Sequence, residues 1–403
     1  MAVEGIRTAE SALRYQADQY YAHRMYYNVA FENQDMDYWF QAMLGTESTG
    51  GAATGEMFYA ASQIEDGNFA SWNKEFSELA GRVAARAEIS LARNHAVSAR
   101  QGFLRASNYY RWSVYTAVDV EVYLKTMRMA QACFHKAASL FDPPIEPIEV
   151  PYEGKTLPGY FWKPVNDDEP RKTFIKIGGG ETANEDMFFF IGPHTIERGY
   201  NFVTVDLPGQ GVTPKDGFTF RADTEVPMGA VLDYVLERPE VDAERVAASG
   251  QSMGGYFVPR AAVYDKRLKA VIGNAVYTDV FTFFDQNADN IEDNTEVRDE
   301  TMGGEILPWR FDVETFQDIK GFMKECVFDP TQVTCPMLSI IGEGEYQNRI
   351  LQEQTENALK LVQDDRSTLL IPPVDEGGPA HCTWENNCLA AQMTFDWLDE
   401  LFD

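Results

Sequence analysis

Residues 245–265 read RVAASGQSMGGYFVPRAAVYD. After Arg245 the run VAASG is small and mostly apolar, as in a buried strand, and the last ten suit a helix. Between them Gly250-Gln251-Ser252-Met253-Gly254 satisfies GxSxG, the pattern of a nucleophile elbow. Such an elbow is a strained strand-to-helix turn, and small neighbours are what let its serine project. A phosphate-binding turn would need GxGxxG or a Walker lysine, and the stretch has neither. Ser252 is therefore the expected nucleophile.

Outward from this point, short β-rich runs alternate with amphipathic stretches. The expected strands are 145–152 (IEPIEVPY), 157–165, 172–178, 201–207, 245–250, 268–276, 336–343 and 367–373. Helical segments such as EDMFFFIGPHTIERG (185–199) and EVPMGAVLDYVLERP (225–239) separate them after the third. Strand and helix in alternation imply a mostly parallel sheet covered on both faces, and two successive strands at its start imply an antiparallel leading edge. Residues 275–333 form an insertion rich in Phe, Asp and Asn, with a helix at DVETFQDIKGFM (312–323), expected to contribute to the active-site wall. Residues 1 to about 142 contain no proline and carry apolar residues at helical spacing, interrupted by a Gly-rich segment, GTESTGGAATGE (45–56), that reads as a loop. At FDPPIEPIEVPYEG (141–154) the prolines stop the last helix and a strand begins. The expected division is a helical cap over 1–144 and an α/β catalytic domain over 145–403.

Composition narrows the function classes. Among 403 residues, 34 Lys+Arg against 63 Asp+Glu gives 34 − 63 = −29, a charge that repels phosphate backbones and anionic lipid surfaces. Nucleic-acid and membrane partners are therefore disfavoured, and a small-molecule substrate is expected. The five cysteines are an odd number with no CxxC pair, which speaks against a disulfide framework or a zinc site and for a reducing compartment. There is no early apolar run of signal-peptide length and no stretch of about 18 apolar residues. A soluble cytoplasmic protein without cofactor or metal is the expectation.

A serine hydroxyl needs a base and an acid that orients it, in the chain order Ser, acid, His for this type of elbow. His23, His95 and His135 lie in the helical region and His194 precedes the elbow, so His381, in GGPAHCTWEN, is the one histidine downstream. For the acid, Glu345 follows the strand 336–343 in Gly342-Glu343-Gly344-Glu345 and is the first choice. Asp375, in PPVDEGGPAH, is the alternative, while Glu343 is read as facing solvent. Oxyanion donors are expected from the Met253 N–H and from Gly178-Gly179-Gly180-Glu181, specifically Gly180 and Glu181. Glu181 borders the nucleophile closely enough to act as an acid or base itself.

Taken together, the helical segment SARQGFLRASNYYRWS, the GGGE turn, DLPGQG, GQSMGGY and a late histidine resemble the α/β-hydrolases related to 2,6-dihydroxypseudooxynicotine hydrolase and the chain-shortening hydrolases of fungal polyketide pigment pathways. The resemblance spans nearly the whole chain. It implies an α/β-hydrolase core with an N-terminal helical cap, often dimeric, that cleaves a carbon–carbon bond beside a ketone. It assigns the nucleophile to Ser252, the base to His381 and an additional glutamate used in C–C cleavage to Glu181. Where that family has an aspartate after the penultimate strand, this chain has Glu345. Alternatives on the same fold are a carboxylesterase or acylaminoacyl peptidase, and a biosynthetic acyl transferase, cyclase or lyase. A noncatalytic receptor is disfavoured by the retained serine, histidine and glycine-rich turn.

Overall fold

The computed structural model describes residues 29–115, 119–286, 306–314 and 316–403. Expectations that fall on 1–28, His23 among them, on 116–118 and on the 287–305 part of the insertion lie outside the described residues.

All eight expected strands form, as β1 (Glu146–Tyr152), β2 (Lys155–Trp162), β3 (Arg171–Ile177), β4 (Asn201–Val205), β5 (Val241–Gln251), β6 (Ala270–Asn274), β7 (Met337–Ile340) and β8 (Thr368–Leu370). They make one sheet in the order β1-β2-β4-β3-β5-β6-β7-β8. Pairing is antiparallel for β1 with β2 and for β2 with β4, and parallel from β4 onward. Side chains alternate across this sheet. Phe174, Ala247, Ile272 and Leu338 join one core with α6 (Asn184–Glu197) and the closing helix Asn387–Phe402. Their neighbours Ile175, Ala248, Val271 and Met337 join the other, with α7 (Glu225–Leu236) and α8 (Gly254–Tyr264). The sheet is thus covered on both faces, and its parallel strands read as apolar runs because neither side meets water.

Ahead of the sheet lie α1 (Gln34–Gly45), α2 (Thr54–Ala61), α3 (Phe69–Ala92), α4 (Ala96–Ser113) and α5 (Val120–Ala138). Asp37, one turn into α1, accepts the N–H groups of Val29, Ala30 and Phe31 and so fixes the entry to the helix. Trp72, Phe76, Phe103 and Trp112 are fully buried between α3 and α4, each contributing on the order of 2–3 kcal/mol by leaving water. These helices also pack on the sheet layer: Phe134 of α5 stacks against Tyr160 of β2 and Phe188 of α6. The 45–56 segment departs from the expected loop, since Thr46–Thr49 is a 3-10 turn and α2 already begins at Thr54. The glycines fooled the pattern because Gly51 is there for closeness. A Cβ on it would stand 2.5 Å from Thr46 Oγ1 and 2.8 Å from Phe189, where the turn seats on α6. In the insertion, α9 (Val280–Gln286), α10 (Ile306–Phe311) and α11 (Phe316–Met323) are described, so helix starts earlier and more often than 312–323 suggested. All five cysteines are free thiols, and no helix among the described residues is long and apolar enough to cross a membrane.

Candidate active site

β5 delivers Ser252 into a turn where it adopts φ 52°, a left-handed conformation that costs a non-glycine residue on the order of 1–2 kcal/mol. Two bonds hold it there. Its N–H donates to the Asn274 carbonyl at 2.8 Å, and its own carbonyl accepts from Gly255 at 2.7 Å. The flanking glycines are steric necessities: a Cβ on Gly250 would lie 1.7 Å from the Gly254 oxygen, and one on Gly255 would lie 1.6 Å from the Ala275 oxygen.

His381 arrives from the loop between β8 and the closing helix. Its Nε2 lies 3.2 Å from Ser252 Oγ and its Nδ1 lies 2.5 Å from Glu345 Oε1, with both side chains under a tenth exposed. A carboxylate at Nδ1 fixes the proton there and turns the Nε2 lone pair toward the serine. Burial opposes the imidazolium, but the neighbouring Cys382 sulfur and the Glu345 carboxylate outweigh it and raise the His381 pKa well above the usual value. The loop is braced from several sides. The Tyr38 hydroxyl of α1 donates to the His381 carbonyl at 3.1 Å, Ala380 N–H donates to Glu385 at 2.6 Å, and Asn274 Nδ2 donates to the Cys382 carbonyl at 3.0 Å. Cys382 (φ 63°) and Thr383 (φ 55°) both take the left-handed region to make this bend.

Of the two candidate acids, Glu345 is buried beside the imidazole, whereas Asp375 sits exposed on the 3-10 turn Val374–Glu376. Glu343 does not face solvent as expected. It is buried and accepts the Val374 N–H at 2.7 Å, tying the turn after β7 to the stretch before His381.

The glycine turn after β3 lies against the elbow. A Cβ on Gly179 would come within 2.7 Å of Ser252 Cβ and one on Gly180 within 2.9 Å of Met253 Sδ, so side chains here would close the site. Gly179 N–H is committed to Thr182 Oγ1 at 2.8 Å. The N–H groups of Gly180 and Met253 have no protein partner among the described residues. Glu181 is half-buried and lines a cleft of about 300 Å³, partly open to solvent, with Arg111, Tyr115, Tyr123, Ile306 and Arg310.

Several residues at this site carry no sequence signal. Arg111 (α4) and Arg310 (α10) are almost wholly buried and donate to the carbonyls of Glu181 and Gly180, each at 2.6 Å. Arg111 also pairs with Asp186 at 3.0 Å. Glu185, bonded by the Tyr160 hydroxyl at 2.8 Å, is pushed up to about 7 by burial. Asp206, at the head of DLPGQG, is raised well above the carboxylate range, first by burial and then by Glu185. Lys176, beneath the elbow on β3, is buried against Ser249 at 3.0 Å, and burial lowers it to about 7. A serine with an imidazole and a carboxylate behind it, and N–H groups of Gly180 and Met253 nearby that have no protein partner among the described residues, can take an acyl group from a carbonyl compound and pass it to water.

The profile of the FrsA-like esterases matches residues 66–301. The chain is 29% identical to the α/β-hydrolase gkaG of Penicillium citrinum over 91% of its own length and 96% of the relative's. It is 28% identical to the hydrolyase poxO of Penicillium oxalicum, covering 92% and 98%. Among solved structures, 2,6-dihydroxy-pseudo-oxynicotine hydrolase superposes with a TM-score of 0.72 at 21% identity, over 89% of this chain and 95% of that one. That likeness, with the eight-stranded sheet and the N-terminal helices, gives an α/β-hydrolase fold with a helical region ahead of the core.

Proposed function

The chain belongs to the FrsA-like esterase family and is a hydrolase of α/β fold, and from that premise we propose that it cleaves a carbon–carbon bond next to a ketone, in a β-diketone or acyl-aromatic substrate of polyketide type. Ser252 is the nucleophile, His381 the base and Glu345 the residue that orients and charge-stabilises the imidazolium. The supporting observation is the chain of contacts from Ser252 Oγ through the His381 ring to Glu345, at 3.2 and 2.5 Å. Its chemistry is acyl transfer whatever the leaving group. The resemblance in SARQGFLRASNYYRWS and GGGE narrows that to C–C cleavage.

In this mechanism the His381 imidazole takes the Ser252 proton as Oγ attacks the ketone carbon. The oxyanion is held by the Met253 N–H and by that of Gly180 or Glu181. The C–C bond breaks, its electron pair passing into the enolate or electron-rich ring of the leaving group; the imidazolium proton reaches that group directly or by way of Glu181, which leaves His381 neutral again. Water, activated by His381, then releases the acyl group from Ser252. Residues 1–144 serve as cap and 145–403 as the catalytic domain, with the 275–333 insertion as part of the wall. The protein acts as a soluble cytoplasmic homodimer.

A carboxylesterase is the second reading, favoured by the family's description. The purified protein, given an aryl β-diketone and p-nitrophenyl esters side by side, is expected to release a carboxylic acid and a ketone from the diketone. Rapid ester turnover with no diketone cleavage would leave the esterase reading alone. A fluorophosphonate probe that labels wild type no better than Ser252→Ala would remove the serine mechanism altogether.

A further inference from the structure

The oxyanion turn is gripped by two arginines that come from elements outside the β3–β5 pair it serves. Gly180 O and Glu181 N belong to one peptide group, and Arg310 Nη1 donates to that oxygen at 2.6 Å. The next carbonyl, Glu181 O, accepts from Arg111 Nη2 at 2.6 Å. Both guanidinium groups are themselves anchored: Arg310 Nη2 reaches the Tyr123 hydroxyl at 2.8 Å, and Arg111 Nε reaches Asp186 at 3.0 Å. Tyr123 in turn donates to Gly211 O at 2.9 Å, at the end of DLPGQG. Arg310 is 2% exposed and, among the described residues, has no carboxylate within ion-pair distance. Its charge acts on the buried carboxylates Asp186 and Asp206 without a direct ion pair, and its hydrogen bonds go to two uncharged oxygens.

We propose that Arg310 is a positioning residue of the oxyanion hole: its charge-assisted bond to the Gly180 carbonyl fixes the orientation of Gly180, whose N–H is the hole's donor beside that of Met253, while Arg111 fixes the following peptide. Holding the carbonyl of Gly180 keeps that residue from turning, so its N–H is preorganised where negative charge develops. The cap helix α4 and the insertion helix α10 thereby tune the hole from both sides. This rests on the serine mechanism proposed above.

The test compares wild type, Arg310→Met, Arg310→Lys and Ser252→Ala on an activated ester, together with inhibition by a trifluoromethyl ketone, which adds to the serine and carries a true oxyanion. Removing one direct oxyanion donor costs about 10²–10³ in kcat, and an indirect one is expected to cost about 10–10². For Arg310→Met, kcat should fall by that factor with KM within about threefold, and trifluoromethyl ketone affinity should weaken in parallel. Binding of a carboxylate product should not change. Arg310→Lys, which keeps the charge but not the fork, should lose about three- to tenfold in both, and it answers the question even if the Met variant does not fold. Unchanged ketone affinity in a folded variant would overturn the proposal. So would a rise in KM confined to acidic substrates, which would make Arg310 a substrate-anion contact. If wild type ignores the ketone and Ser252→Ala keeps its turnover, the serine mechanism itself fails, a result the Arg310 variants cannot imitate.

Discussion

Replacing Glu345 by Gln removes one charge and almost no volume, so it isolates the electrostatic part of the contact with His381. The carboxylate and imidazole meet at 2.5 Å with both side chains under a tenth exposed, so solvent screens them little. With charge centres about 4 Å apart and an effective dielectric of about 20, Coulomb's law gives about 4 kcal/mol of imidazolium stabilisation. Imidazolium forms on the way to the tetrahedral intermediate, so that energy appears in the barrier and corresponds to about a thousandfold in kcat/KM. A further factor follows if the Gln amide turns its NH₂ to the ring and favours the wrong tautomer. Total loss should be about 10³–10⁴ on a p-nitrophenyl ester, with circular dichroism unchanged. The pH profile supplies an independent check. His381 is held above the ordinary histidine value, its base form is the active one, and kcat/KM should therefore rise along a limb lying above about 6.5. Glu345→Gln leaves burial with less opposing it, so the limb should move to lower pH even as the plateau drops. A Gln variant within tenfold of wild type, or a severe loss in Asp375→Asn instead, would refute the assignment.

Three other outcomes are expected. Glu181→Gln should depress cleavage of a β-diketone more than hydrolysis of an activated ester, and equal losses on both would deny it a part in C–C chemistry. Lys176→Met should stabilise the protein: with a folded pKa of about 7 against about 10.5 unfolded, the wild-type lysine costs about 4 kcal/mol at pH 7 and about 2 at pH 9, because the unfolded chain binds the extra proton in that window. Urea denaturation should show the variant's advantage, less about 1 kcal/mol for the lost Ser249 bond, shrinking from pH 7 to pH 9, and no such trend would mean the amine is hydrated. Gly255→Ala should cost more than about 3 kcal/mol or prevent folding, since its Cβ would meet the Ala275 oxygen at 1.6 Å; a variant with an ordinary melting temperature would show that the elbow can shift.

What could be read in the sequence was what repeats or is sterically unique. The strands of the parallel sheet are apolar on both faces, so runs such as KTFIKIG and NFVTVDL stood out. The turn that carries Ser252 was legible because Gly250 and Gly254 leave no room for a Cβ, and His381 stood out because no other histidine follows that turn. Illegible were contacts whose partners sit far away in the chain. Arg111 and Arg310 lie in helical segments where an arginine reads as a solvated face, and nothing local in SNYYRWS or ILPWRF says that a carbonyl of the oxyanion turn waits for it. Lys176 was hidden in a strand, its burial set by β5 beside it. Glu343 and Glu345 differ only by two places in a turn, and the geometry after β7 sends one to the imidazole and the other to the Val374 amide.

The hydroxyl of Tyr38 on the carbonyl of His381 joins positions 343 apart in sequence and makes the helical region part of the base's own scaffold. With the proposed role of cap, the helical region is an attractive target for exchange, because it would border the substrate without supplying the nucleophile. Here such a graft would not be modular. Swapping residues 29–115 for those of a relative with another substrate also removes the bond on which the base loop rests, and Arg111 with it. A chimera designed for a new leaving group would have to carry an equivalent hydroxyl and guanidinium to the same two oxygens, or specificity would be altered at the expense of the chemistry it was meant to redirect.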